Sequence, residues 1–300
     1  MLKPMPFIVL LSCYLLLTSI DLYGQNVVDG PSWSPDGNRF VYVKKKGEAN
    51  SDLFIYDFRS GNSDQLTYSD ASEWTPAWSP DSRHIAFVSD RNGNRDVYVY
   101  SFESKKNRLI VGSDEREAAP SWSPDSKEIY FARFDTVNNT SGIYKVDLEG
   151  SVEKVLISAE RSYIYPSVSP NNQYLLYASK RIDQESYNHI YLLDLITGVQ
   201  KQIENRGLVS YNPSWSNNSE TIYFINQDIG ENKSAKIFRY IVSEDKIQEV
   251  LRNKVGCFMV RKNPVKEEII YKIGWGEAHL GIGLFNLLTG ENELILNAQD

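Results

Sequence analysis

Apolar and polar residues alternate with a period of two along most of the chain, in runs of about four to eight. No stretch keeps the spacing of an amphipathic helix. Pro76 to Phe102, PAWSPDSRHIAFVSDRNGNRDVYVYSF, shows the pattern most clearly. It predicts a short strand ending at Trp78, a tight turn over Ser79-Pro80-Asp81-Ser82, and an alternating strand Ile85-Ala86-Phe87-Val88. A polar loop, Asp90 to Asp96, then leads into a further strand Val97-Tyr98-Val99-Tyr100. Proline at the second turn position sets φ near −65°, and the Asp beside it can bond nearby backbone, so the turn has a physical cause.

The same text recurs. PSWSPDG begins at Pro31, PAWSPDS at Pro76, PSWSPDS at Pro120, PSVSPNN at Pro166 and PSWSNNS at Pro213. The prolines lie 44 to 47 residues apart, a spacing that signals propellers or solenoids. Each turn is followed by two β-rich runs and a short closing strand, for example Leu66-Thr67, Leu109-Ile110-Val111 and Val155-Leu156-Ile157. A degenerate sixth copy keeps step, with Phe258-Met259-Val260 in place of the tryptophan strand. The expectation is an all-β, six-bladed β-propeller of four-stranded antiparallel blades over residues 25–300. The repeats fall near 26–70, 71–114, 115–160, 161–207, 208–254 and 255–300. Because each closing strand completes its own repeat, the ring is expected to close face to face rather than by exchanging a terminal strand.

The N-terminal segment departs from this pattern. Lys3 precedes an almost wholly apolar run, Met5 to Ile20, and Leu22-Tyr23-Gly24 offers a small residue before Gln25. Residues 1–24 read as a secretory signal peptide cleaved after Gly24. The run falls short of the roughly 20 residues of a spanning helix, so a retained anchor is the second reading. A lipoprotein would acylate Cys13, but Leu10-Leu11-Ser12-Cys13 matches only approximately and the apolar run continues past it. Cleavage removes one cation, Lys3, and one anion, Asp21, leaving the charge at −7. It also leaves Cys257 without a disulfide partner, so stability is expected from strand packing. A charge of −7 provides no basic field to displace counterions from phosphates, which argues against a nucleic-acid partner.

The W-S-P-D-G/S turn followed by I-A-F-x-S-D-R-x-G-N-x-D-V-Y resembles the repeat of TolB-type propellers, also called PD40 or WD40-like repeats. The resemblance covers roughly Val27 to Asn297 and implies a TolB-like propeller without the N-terminal α/β domain of TolB, exported to the periplasm in a Gram-negative host. The repeat occurs in non-catalytic periplasmic scaffolds and in propellers attached to peptidases, so it speaks for the fold more than for function.

Candidate chemistry is sparse. Trp33, Trp78, Trp122 and Trp215 recur at one strand position, as packing between blades demands, and Asp36, Asp81 and Asp125 suit turn-stabilising bonds to backbone. The Asp90–Asp96 loop has oxygen groups at alternating positions. It carries two arginines and lacks a closing glutamate, which favours a turn over a calcium loop. His84, His189 and His279 come with no third metal ligand, and no G-x-S-x-G elbow exists. No catalytic residue, metal or cofactor is therefore expected, and the chain reads as a non-enzyme.

What remains is the loop face, formed by the loops entering each innermost strand and those joining strands two and three. It offers Glu73, Trp74, Arg116, Arg161, Tyr163, Tyr165, Arg206, Tyr211 and Trp275. Aromatics and arginines interleaved with acids are the residue types of protein-interface hot spots. The competing structural reading is that Tyr165 and Tyr211, beside the motif prolines, plug the channel mouth. The expected function is a monomeric, exported scaffold holding an envelope protein or peptide on this face. The alternative is a small-ligand or glycan-binding propeller, with a lyase or hydrolase third.

Overall fold

A computed structural model describes residues 28–46, 50–181, 189–203, 209–227, 235–253, 257–275 and 278–297. The segment read as a signal peptide, residues 1–24 with Cys13, lies outside them, as does Arg206. The described chain is a succession of antiparallel strands. The first group is β1 (Val28–Trp33), β2 (Arg39–Lys46), β3 (Asn50–Asp57) and β4 (Asn62–Gln65). The second is β5 (Glu73–Trp78), β6 (His84–Ser89), β7 (Asp96–Ser101) and β8 (Lys106–Val111). Then follow β9 (Arg116–Trp122), β10 (Glu128–Asp135), β11 (Thr140–Asp147) and β12 (Val152–Leu156), and β13 (Arg161–Val168), β14 (Tyr174–Arg181), β15 (His189–Asp194) and β16 (Gln200–Ile203). The last two groups are β17 (Val209–Trp215), β18 (Thr221–Gln227), β19 (Ala235–Ile241) and β20 (Lys246–Asn253), and β21 (Cys257–Lys262), β22 (Glu268–Trp275), β23 (Ala278–Asn286) and β24 (Asn292–Asn297).

The all-β expectation holds; that of six separate four-stranded blades does not. Hydrogen bonding gives four discrete four-stranded blades, β1–β4, β5–β8, β17–β20 and β21–β24. The strands from β9 to β16 form one continuous eight-stranded sheet. The cause is local. β11 meets β13 in parallel at Ser141↔Ser162, and this bridge joins what the repeat pattern reads as two units. A related bridge, Ser51↔Ser72, lies between the first two blades but stays isolated.

The first strand of every group lies against that of the next, β1 on β5, β5 on β9, β9 on β13, β13 on β17, β17 on β21 and β21 on β1, so the arrangement closes on itself. Closure is face to face, as expected, because β1–β4 and β21–β24 are each built of consecutive strands. Trp33 and Phe40 pack with Ile270 and Ile282 across this seam, and the Trp33 indole donates to the Arg261 carbonyl at 3.1 Å. Trp122 and Trp215 reach the carbonyls of Ala77 and Ser167 in the preceding group in the same way, at 3.0 and 3.1 Å. Trp33, Trp122 and Trp215 thus join neighbours by both packing and a directed bond, whereas Trp78 packs with its buried Nε1 unpartnered.

The motif turns close at one end of the strands. Ser79 Oγ donates to Asp81 Oδ1 at 2.6 Å while Asp81 accepts from the Arg83 amide at 2.9 Å, and Ser123 and Asp125 repeat the bracket. The Ser123 hydroxyl holds the Asp125 carboxyl below its usual range. In the later copies Asn171 and Asn218 do the same work, so the bracket needs a carbonyl-type oxygen rather than a charge.

Candidate functional site

The opposite end, where the chain enters each first strand, is built differently. Every first strand carries a bulge at the residue before the motif proline or its equivalent. There Gly30, Thr75, Ala119, Tyr165, Asn212 and Met259 adopt left-handed φ between 34° and 61°. Glycine takes this conformation freely, whereas an L-residue there costs roughly 1–2 kcal/mol. The strain recurs at one level around the axis, so the same distortion is imposed on each first strand.

Beside these bulges lie the joints between successive groups. In the first joint Glu73 is fully buried. Its Oε1 receives Arg91 Nη2 at 2.5 Å, and its Oε2 is bonded to the Thr67 hydroxyl, which lies 3.5 Å from buried Asp52. The Arg91 guanidinium stands over the rings of Tyr98 (4.6 Å) and Phe87 (5.5 Å) and donates to Ser89 Oγ at 3.0 Å. Ser51 Oγ brackets the Glu73 backbone, donating to its carbonyl and accepting from its amide at 2.9 and 3.0 Å. Burial dominates the electrostatics and pushes the Glu73 carboxyl up to about 7 against the pull of Thr67 and Arg91.

The second joint repeats the plan. Glu117 is fully buried, receives Arg133 Nε at 2.9 Å, and accepts from the Ser113 hydroxyl at 2.7 Å. Arg133 stands over Tyr144 (4.9 Å) and Phe131 (5.5 Å). Burial raises the Glu117 carboxyl as well. Asp96 stands in β7 where Asp52 stands in β3, one residue before Val97, the pair partner of Val88, as Asp52 precedes Leu53, the pair partner of Val43, and burial also raises it.

The third joint departs from this plan. Ser141 Oγ brackets the backbone of Tyr163 at 2.8 and 3.0 Å, as Ser51 does that of Glu73, so Tyr163 occupies the glutamate position. An arginine is present, Arg161, at 3.5 Å from Ser179 Oγ and 5.3 Å over the Tyr191 ring. Tyr163 pairs across the strands with Ser179 as Glu73 does with Ser89.

The sequence-predicted face residues are thus divided. Glu73 lies inside the first joint and Tyr163 is buried in the third. Trp74 is half-buried beneath the Arg95 guanidinium at 4.4 Å, Arg116 is exposed, and Arg161 is half-buried. Tyr165 sits at a strained bulge with φ 57° and packs against the core beneath the β17–β24 groups. Tyr211 falls in β17 opposite Ile225 and Trp275 in β22 opposite Ala278. The Asp90–Asp96 loop folds as a turn, with Asn94 Nδ2 donating to the Ser113 and Glu115 carbonyls at 2.8 and 2.6 Å. Half-buried His189 is held below its ordinary value by burial and by Arg161, and burial pushes the Cys257 thiol up to about 12. Among the described residues no three His, Cys, Asp or Glu side chains converge as a metal site. Sequence reasoning missed Asp52, Thr67, Ser113, Glu117 and Arg133. Their signal was phase: Glu73 and Glu117 are 44 residues apart, as are Trp78 and Trp122.

Unsatisfied buried groups collect around the axis. Of eleven described residues with a buried side-chain atom lacking a hydrogen-bond partner, seven lie on first strands: Trp74, Thr75, Trp78, Glu117, Ser121, Asn212 and Ser214. Each such group costs roughly 1–3 kcal/mol, so their concentration marks where further polar partners fit.

Comparison with known proteins agrees with this architecture. The uncharacterized peptidase YuxL of Bacillus subtilis is 37% identical over 84 residues, covering 26% of this chain and 13% of that protein. The chain therefore spans a small part of that relative's length. The crystal structure of TolB from Acinetobacter baumannii superposes with a TM-score of 0.66 at 18% identity, covering 95% of this chain and 67% of that one. An oligogalacturonate lyase in complex with manganese also gives 0.66 at 11% identity, covering 91% and 78%. At such identities both likenesses speak for the fold alone. Among the described residues no helix is long and apolar enough to cross a membrane. The TolB β-propeller domain family, PD40, matches residues 21–188, more than half of the sequence, and the chain belongs to it.

Proposed function

We propose that this chain is an exported, non-catalytic scaffold that holds an envelope protein or peptide on the entry-end face and channel mouth. The observation that carries this reading is the contrast between the two ends. Motif turns at one end satisfy their own polar groups through the Ser–Asp and Ser–Asn brackets. The inner strands leave hydrogen-bonding atoms unmet and hold strained bulges, with Trp74 stacked beneath Arg95 and Arg116 exposed nearby. Aromatic and arginine anchors of this kind dominate the energetics of protein recognition. Export rests on the signal-like residues 1–24, and the periplasm on the host and family resemblance.

Crosslinking capture from envelope extract tests the proposal, using the chain and a Trp74→Ala, Arg116→Ala variant that keeps the parent's circular dichroism and melting midpoint. Recovery of a dominant protein partner is expected to fall at least about tenfold in the variant. Equal recovery by both would remove this face from the proposal. A second reading, a small-ligand or glycan-binding channel, draws on Asn226, which is buried with both amide atoms unpartnered. A folded sample that captures no protein but binds oligosaccharide would favour it.

A further inference from the structure

The three joints differ in one respect that bears on the ligand. In the first, an arginine stacked on Tyr98 and bonded to a serine is neutralised by the chain's own Glu73. In the second, an arginine stacked on Tyr144 is neutralised by Glu117. In the third, Arg161 is stacked on Tyr191 and directed at Ser179, but Tyr163 takes the glutamate position. Among the described residues Arg161 Nη1 donates to neutral hydroxyls, Tyr191 at 3.1 Å and Ser179 at 3.5 Å, and the Tyr191 hydroxyl passes on to Gln202 Oε1 at 3.0 Å. Across the strand pair Arg161 faces Arg181, which holds the position of Arg91 in the first joint, two residues beyond the strand partner of the glutamate site.

We propose that Arg161 is the receptor for a carboxylate carried by a bound peptide, which would complete the third joint from outside as Glu73 and Glu117 complete the first two from within. A guanidinium presents a planar fork that matches a carboxylate, and charge-assisted bonds of this type are the strong ones. Tyr191 fixes the plane of the fork by stacking, and Ser179 limits its rotation. The inference rests on the scaffold reading and adds to it the chemistry of the ligand: an acidic side chain or the free carboxylate of a chain end.

Titration calorimetry of the full chain with two probes separates these sources. Acetyl-triglutamate amide offers side-chain carboxylates only, and acetyl-trialanine offers only the terminal one. Binding of one or both is expected, weakened by about tenfold in Arg161→Gln and by less in Arg161→Lys, which keeps the charge but loses the fork. Arg83→Gln, on an exposed residue at the opposite end, is expected to bind as the parent does. The Arg161→Lys variant keeps the test valid if Arg161→Gln folds poorly. If neither probe binds, or Arg161→Gln binds like Arg83→Gln, the inference falls. Loss of capture in the Trp74, Arg116 variant with probe binding indifferent to Arg161 would sink the carboxylate subsite and leave the scaffold standing. Arg161-dependent probe binding without any captured protein would do the reverse.

Discussion

Glu73→Gln is the sharpest perturbation of the joints. Glu73 is fully buried, whereas the Arg91 side chain facing it keeps 22% of its surface exposed. Water therefore screens the arginine, while the carboxylate bears the full loss of hydration, and the carboxyl rises from 4.5 to about 7. The geometry accommodates the neutral acid: Oε1 can keep Arg91 while a proton on Oε2 is donated to Thr67, whose hydroxyl faces Asp52. An acid with a raised folded pKa holds its proton more tightly when folded. Folding then takes up a proton between pH 4.5 and about 7, and stability is lost as pH rises through that window. The full difference is roughly 3 kcal/mol, absent below the ordinary carboxyl value and complete above about 7. Glutamine cannot titrate, so the variant should gain on the parent by up to that amount between pH about 4.5 and about 8. Glu117 titrates in the same direction in both proteins and cancels from the difference. Urea unfolding of both proteins across the range is the assay. Parallel profiles, or a parent that gains on the variant as pH rises, would show that the Arg91 ion pair outweighs burial and would refute the reasoning.

Two further substitutions test the closure and the tryptophan bonds. Gly37 has φ 65°, and a Cβ there would collide with Asn263 Oδ1, so Gly37→Ala should lower stability by about 2 kcal/mol or more in urea unfolding. Asn263 Nδ2 also donates to the Gly37 carbonyl at 3.1 Å across the seam, so limited proteolysis should cut first near the first and last strands. Trp122→Phe keeps an aromatic ring but removes the 3.0 Å bond to the Ala77 carbonyl, with an expected cost of about 1–2 kcal/mol. A melting midpoint equal to the parent's would show that packing alone joins these groups.

The all-β character, the strands and the turns were legible because their determinants are local and repeated. The proline and aspartate of each turn act within a few residues, and the alternating strands carry their own period. The last turn was less legible, since Asn263 stands at the serine position and its Oδ1 alone accepts the Val265 and Lys266 amides at 2.9 and 3.0 Å. The fusion of β9–β12 with β13–β16 was not legible at all. It depends on the parallel approach of Ser141 to Ser162, a backbone contact between copies that no side-chain pattern within one copy encodes.

The site was legible by residue type but not by role, and the reason is instructive. Glu73 and Arg161 look alike in sequence, charged residues in loops entering a first strand, yet one is an internal partner and the other meets no carboxylate among the described residues. The distinction appears only when the copies are compared joint by joint. A repeat that supplies an arginine and its glutamate twice defines what satisfaction means at that place. The third joint brings an arginine from the first strand onto the matching aromatic ring and replaces the glutamate with Tyr163, so among the described residues no carboxylate fills its acceptor position. Function in a repetitive fold is therefore sought where one copy departs from the pattern while its supporting residues stay in place. By that criterion Arg161, Tyr191 and Ser179 outrank the more exposed Arg116.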